Sequence, residues 1–168
     1  LVPLEIQAAP WFHEIHQLSE RMGLTANLAQ AWATLGPDEW VFHCEEDFVI
    51  EDQPLGDMAA VLDDNPDVAN MVLVRQPWNM EEIASGSVLA TIPGLIDEGK
   101  WLRHDRGFWL NPHVAHSSLL RTLTPGVEAV LTAQCKARGY SYGYWGSVTD
   151  PPRCVHIGAE GGMGSAGW

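Results

Sequence analysis

The chain has 168 residues, 46% of them apolar by type, which suits one domain able to bury its own core without staples. Its 22 acidic against 9 basic side chains leave a net charge of -13, which excludes general binding to phosphate backbones. A phosphate-bearing ligand would need a local cation here, although the same charge also serves simple solubility. No apolar run approaches the roughly 18–20 residues that span a bilayer, and no signal-peptide pattern is visible at the start. The eight tryptophans suit either a carbohydrate site or ordinary core packing.

Taken in order, Pro10, Trp11, Ile15, Leu18 and Met22 form an apolar helical stripe closed by Gly23. Thr25 is placed to cap a second helix through Leu28, Trp32 and Leu35, with Gly36 as its stop. Trp40 to Cys44 reads as a buried strand that runs into the acids Glu45-Glu46-Asp47. Pro54 opens a helix through Met58, Val61 and Leu62, ended by Asn65-Pro66, and Val68 to Val74 is a second buried strand. Residues 77–107 predict a short helix near Met80–Ala84 and strands near Ser87–Ile92 and Lys100–Arg103. Asn111-Pro112 is expected to cap a helix to about Leu123, and Val127 to Arg138 gives another, stopped by Gly139. Tyr140–Trp145 and Cys154–Ile157 are the last expected strands, followed by a flexible Gly-rich tail over residues 158–168. Helices alternating with buried strands predict one α/β domain over 1–168, its mixed, mostly parallel sheet flanked by helices.

The acidic cluster carries the chemistry. In an extended chain Glu45 and Asp47 share a face while Glu46 points away. Ligands of α/β sheets collect beyond the carboxyl ends of strands. Two carboxylates there repel each other unless a cation or water screens them, and hard oxygen ligands suit Mg²⁺ or Mn²⁺ together with substrate phosphates. A solvated acidic turn is the plainer alternative.

The run from Arg21 through Gly23, Asn27 and Trp32, and then Trp40-Val41-Phe42-His43-Cys44-Glu45-Glu46-Asp47-Phe48, resembles the GT-A glycosyltransferases. In that family a glycine and an Asn-bearing helix precede a strand ending in an Asp-x-Asp-like motif. The resemblance implies a GT-A-like, Rossmann-related fold and a hexosyltransferase-like enzyme with a UDP- or GDP-linked sugar donor. Glu45-x-Asp47 would be a variant motif, Asp47 binding the metal and Glu45 lying near the ribose or a metal-bound water, with Asn27 on the nucleotide side. Gly107-Phe108-Trp109-Leu110-Asn111-Pro112 is similar to the family's acceptor segment, which assigns Trp109 and Asn111 to the acceptor. Glu128 falls at the late acidic position that supplies the general base in inverting members, although an exposed acid at a helix start reads the same way. Val155-His156-Ile157-Gly158 is similar to the family's last strand, whose His completes the metal shell; a core His is the alternative.

The resemblance spans roughly residues 20–160. The family's strand–helix–strand nucleotide-binding half has no counterpart in residues 1–19, and the chain begins at Leu1 rather than Met, so a truncated or abbreviated domain is expected. Small enzymes of this look occur in bacteria and their phages. With three cysteines that cannot all pair, this points to the cytoplasm. The acceptor class, whether glycan, protein or small molecule, is left open. A non-catalytic carbohydrate-binding or assembly module and a metal-dependent hydrolase are the competing functions.

Other signals carry less. His13-Glu14-Ile15-His16 lacks the spacing of a zinc motif, and Gly162-x-Gly164-x-x-Gly167 has no helix to follow it. His104, His113 and His116 read as surface histidines, with contact to an acceptor as the alternative, and Asp63-Asp64 and Glu81-Glu82 as helix-surface charges. Ser117 and Ser118 lack nucleophile-elbow glycines. Arg75, just past a strand, is expected to neutralise a nearby acid or, alternatively, a diphosphate. Trp78 and Trp101 serve either as sugar platforms or as core.

Overall fold

A computed structural model describes residues 23–45, 47–51 and 54–157. The expected helix at Pro10–Met22, the His13–His16 segment, Glu46 and the Gly-rich tail lie outside the described residues.

Helix α1 (Leu24–Thr34) starts at Gly23 rather than at a Thr25 cap, and buries Leu28 and Trp32. Strand β1 (Trp40–His43) is half-buried rather than fully buried, because it forms one edge of the main sheet. The chain then turns into β2 (Phe48–Ile50), and α2 (Leu55–Asp64) follows with Met58 and Leu62 on its inner side. Every residue of β3 (Val68–Leu73) is buried, as expected for a β-rich apolar run at the centre of a sheet.

Helix α3 (Met80–Ser85) begins with a capping box between Asn79 and Glu82. It ends at Gly86, whose φ of 75° is left-handed. The strand expected at Ser87–Ile92 is instead a single 3-10 turn over Leu89–Thr91, whose entry is held by the Leu89 amide donating to Ser87 Oγ. Next come β4 (Ile96–Asp97) and β5 (Trp101–His104). The helix expected after Asn111-Pro112 is overturned. That stretch forms β6 (His113–His116) and then one helical turn, α4 (Ser117–Leu120). Helix α5 (Glu128–Lys136), β7 (Ser141–Trp145) and β8 (Cys154–His156) complete the described chain.

The main sheet has the order β1-β6-β3-β7-β5-β4. Strands β3 and β7 run parallel, and the other four pairings are antiparallel. The protein is therefore α/β with a mixed sheet flanked by helices, but among the described residues the sheet is not mostly parallel. The physical cause is β6, which runs back between β1 and β3 where a helix was expected, making both contacts antiparallel.

Alternation along the strands sends side chains to two faces. Phe42, Met71, Leu73, Val114, Trp101 and Trp145 pack with Met58 and Leu62 of α2. On the other face, Ala115 and Tyr142 pack with Leu28 and Trp32 of α1 and with Leu131 and Cys135 of α5. Val72, Leu102 and Tyr144 meet Leu89 and Trp109 there. The first face leaves no room at Gly143, where an added Cβ would lie 2.7 Å from the Met71 sulfur. Trp101 is buried in this layer, so its role as a sugar platform is replaced by core packing.

Candidate functional site

The register collects three strand ends at one edge. His43 pairs with His113, Val72 also pairs with His113, and Leu73 pairs with Trp145. The carboxyl ends of β1, β3 and β7 therefore lie together, beside the start of β6. This is the edge where open α/β sheets place ligands.

Beyond β1 the chain turns, with the Phe48 amide donating to the Glu45 carbonyl at 3.3 Å. Glu45 and Asp47 thus leave the extended alternation that would have put them on one face. Asp47 instead enters a second, small sheet in which β2 pairs antiparallel with β8, Phe48 opposite His156. The Ile157 amide donates to the Asp47 carbonyl at 2.8 Å. Asp47 Oδ2 consequently lies 3.0 Å from His156 Nε2, so two residues distant in the sequence meet. Asp47 Oδ1 and His156 Nδ1 are buried and have no hydrogen-bond partner among the described residues.

The His156 ring is packed on two sides. Phe48 meets it edge-on at 4.7 Å, and Trp78 stacks on it at 4.4 Å between centroids. Gln76 brackets its backbone, accepting from the His156 amide at 2.9 Å and donating to its carbonyl at 3.1 Å. The Arg75 guanidinium lies 5.0 Å from the centre of the Trp78 ring. It donates to both oxygens of Glu82, at 2.9 and 3.0 Å. Arg75 thus pairs with an acid, as expected. The expectation for Glu82 is corrected: it is buried, not a surface charge. Burial pushes its carboxyl up, but hydrogen bonds from Arg75 and from the Trp78 and Asn79 amides prevail and hold it below the usual range. The missed signal was Asn79-x-x-Glu82, a capping box legible in the sequence.

Glu128, the first residue of α5, is half-buried and accepts from the Leu110 amide at 2.8 Å. Burial raises its pKa above the ordinary carboxylate value, and the Leu110 hydrogen bond and the charge of Arg75 offset part of that rise. Glu128 is therefore not a freely solvated helix-start acid, and it lies within electrostatic reach of Arg75. The buried Tyr144 phenol feels Arg75, Glu128 and Glu82 together, and burial drives its pKa upward. Trp109 sits against the same layer with its indole Nε1 buried and without a partner among the described residues, while its carbonyl accepts from the Asn70 side-chain amide at 3.1 Å. The carbonyl of Asn111 accepts from His113 Nδ1 at 2.9 Å.

Other sequence-predicted residues separate from this group. Asn27 is exposed on α1, and no contact joins it to Asp47 or His156 among the described residues. His104 and His113 are buried core residues rather than surface ones. Burial lowers their pKa values to about 4 and about 3. His43, beside His113 at 5.0 Å, is also lowered by burial. His116 stays at the periphery, 3.1 Å from Asp38. Nothing local in the sequence marks the buried histidines; sheet pairing alone puts them inside. Cys44, Cys135 and Cys154 are all free thiols.

What this edge can hold follows from the donor set. The 3.0 Å between Asp47 and His156 is the length of a direct imidazole–carboxylate hydrogen bond, and it also equals the roughly 3 Å between two ligands at neighbouring vertices of an octahedral ion with bonds of about 2.1 Å. The unpartnered Asp47 Oδ1 adds acceptor capacity at the same point. A carboxylate with an imidazole suits Mn²⁺, and also Mg²⁺ if phosphate oxygens and water complete the shell. Among the described residues no group of three His, Cys, Asp or Glu side chains is arranged to hold a metal by itself. Among the described residues no helix is long and apolar enough to cross a membrane. Compared with family models, curated proteins and solved structures, the chain has no match.

Proposed function

We propose that the chain acts as a metal-dependent glycosyltransferase with a GT-A-like fold, moving a sugar from a UDP- or GDP-linked donor to an acceptor hydroxyl. The observation that carries this reading is the 3.0 Å approach of Asp47 and His156 at the carboxyl edge of the sheet. Mn²⁺ or Mg²⁺ would be held by these two residues with Glu45 assisting, and when bound it supplies Lewis-acid stabilisation to the departing diphosphate.

If the transfer inverts, Glu128 is the general base. Its raised pKa lets it take the acceptor hydroxyl proton as that oxygen forms its bond to the anomeric carbon. The bond from the anomeric carbon to the donor phosphate oxygen breaks, and its electron pair leaves with the diphosphate. The Leu110 amide aims the Glu128 carboxylate. Trp109, whose indole N–H has no partner among the described residues, and Asn111 shape the acceptor side.

Titration calorimetry with Mn²⁺ and UDP- or GDP-sugars tests the reading. Metal-dependent nucleotide binding by the wild type, lost in Asp47→Asn, is the expected result. A second reading, a carbohydrate-binding or assembly module without catalysis, draws on the pair of candidate ligands that lacks a third protein partner among the described residues. Glycan binding without any metal-dependent nucleotide binding would favour it. Release of free sugar with water as acceptor would instead identify a hydrolase.

A further inference from the structure

We infer that Trp78 is a positioning residue for His156: its indole, stacked on the imidazole, fixes the ring so that Nε2 faces Asp47. Ring orientation concerns the protein alone, whereas the consequence for metal affinity rests on the function proposed above.

The geometry builds outward from the imidazole. Its backbone is clamped on both sides by the Gln76 amide, which leaves rotation about the side-chain bonds as the remaining freedom. The ring's own nitrogens restrain it only through Nε2 toward Asp47, because Nδ1 is buried without a partner. In most metal-binding histidines the second nitrogen donates to a carboxylate or carbonyl, and that hydrogen bond sets ring orientation and tautomer. Here the described residues provide no such partner for Nδ1. Flat packing does this instead. Trp78 lies at 4.4 Å with an interplanar angle of 28°, while Phe48 blocks the ring edge-on at 4.7 Å.

Trp78 is itself held from behind. Its amide donates to Glu82 Oε2 at 2.7 Å, the shortest of the bonds that carboxylate receives. Arg75, locked by the same carboxylate, lies 5.0 Å from the centre of the indole ring. The backbone of Trp78 and the cation over its ring are therefore anchored to one buried acid at the start of α3. An aromatic side chain has only two torsions to fix, so such an anchor holds its plane at small entropic cost. The plane of His156 inherits that order.

Trp78 is 37% exposed, so its replacement leaves the core intact and the variants fold. Two measurements on wild type, Trp78→Phe, Trp78→Ala, His156→Ala and the Trp78→Ala/His156→Ala double variant test the inference. The first is the long-range ¹H–¹⁵N spectrum of the metal-free protein, with the His156 ring signals identified by their loss in His156→Ala. The expected result is one tautomer in wild type and Trp78→Phe, and an averaged pattern in Trp78→Ala. The second is Mn²⁺ affinity by calorimetry, where Trp78→Ala is expected to weaken binding about tenfold or more. Trp78→Phe should stay within about threefold, and Trp78→Ala should add nothing in the His156→Ala background.

Unchanged ring signals in Trp78→Ala, or an affinity loss of equal size with and without His156, would overturn the inference. If the wild type binds no Mn²⁺ at all, the proposed function fails while the ring spectrum still decides the role of Trp78.

Discussion

Two arginines, each over a tryptophan, mark opposite ends of the β3–β7 pair. Arg103, on β5, sits 5.0 Å from the centre of the Trp101 ring and donates to Glu98, Asp67, Ser141 and Asn65. Those partners precede β3, begin β7 and flank β5, so one guanidinium ties together the starts of several elements. Arg75, past the end of β3, is likewise 5.0 Å from the centre of the Trp78 ring, but its bonds go to Glu82 and the Gln76 carbonyl. The decisive difference is what lies beneath. Trp101 is 4% exposed and sealed in the core, whereas Trp78 is 37% exposed and stacks on His156, whose Nδ1 has no hydrogen-bond partner among the described residues. One end uses its polar groups to close the fold, and the other keeps hydrogen-bonding capacity unspent.

Acid should break the comparison outright by acting on both ends together. His104 and His113 are buried and titrate near 4 and near 3, against an ordinary value of 6.5. Their folded pKa values are depressed, so below pH 6.5 the unfolded chain takes up protons that the native state refuses. Stability is therefore fully present above pH 6.5 and declines as pH falls toward 4 and then 3. Each group approaches about 1.4 kcal/mol per pH unit below pH 6.5, so the pair removes on the order of 3 kcal/mol between pH 6.5 and 5. Urea titrations at those two pH values measure the loss, and a flat profile would refute it.

Two substitutions then sharpen the contrast between the ends. Glu82→Ala strands the mostly buried Arg75 and should cost about 3–5 kcal/mol. Arg103→Ala removes more hydrogen bonds but should cost only about 2 kcal/mol, because Asp67 and Glu98 are solvated and screen their share. Denaturant midpoints of the two variants give the order directly. The smallest effect belongs to Asp47→Asn. Its carboxylate is over a third exposed, so stability should stay within about 1 kcal/mol of wild type while Mn²⁺ binding disappears.

The elements that are visible in the sequence are those whose pattern is local. Pro54 and Asn65-Pro66 bracket α2, Gly139 stops α5, and the apolar run at Val68 is strand because it is central and buried on both faces. The His113–His116 segment resisted reading because Asn111-Pro112 looks like a helix cap, whereas pairing with β1 and β3 settles it as strand. That one exchange of strand for helix also accounts for the mixed sheet. At the site, Asp47 and His156 were both singled out from the sequence and are in contact. The ring behind them was legible only in parts: Trp78 stood out as an aromatic, but Glu82 was hidden among apparent surface acids. Asn27 failed to join because its position follows from the packing of Leu28 and Trp32, which turns it outward.

The small β2–β8 ribbon has a consequence for how the chain tolerates change. Asp47 and His156 flank adjoining rungs of one ladder, and that ladder is fastened to the end of β3 by the bridge from Cys154 to Arg75, by the Arg153 amide donating to the Val74 carbonyl at 2.7 Å and by the Gln76 clamp on His156. Their spacing is thus inherited from pairing and not from the long stretch of polypeptide between them. Loops inside that stretch can lengthen or shorten without disturbing the two side chains. A slip of one rung between β2 and β8 would shift His156 by one residue against Asp47 and part the two, leaving the main sheet whole and the site dismantled.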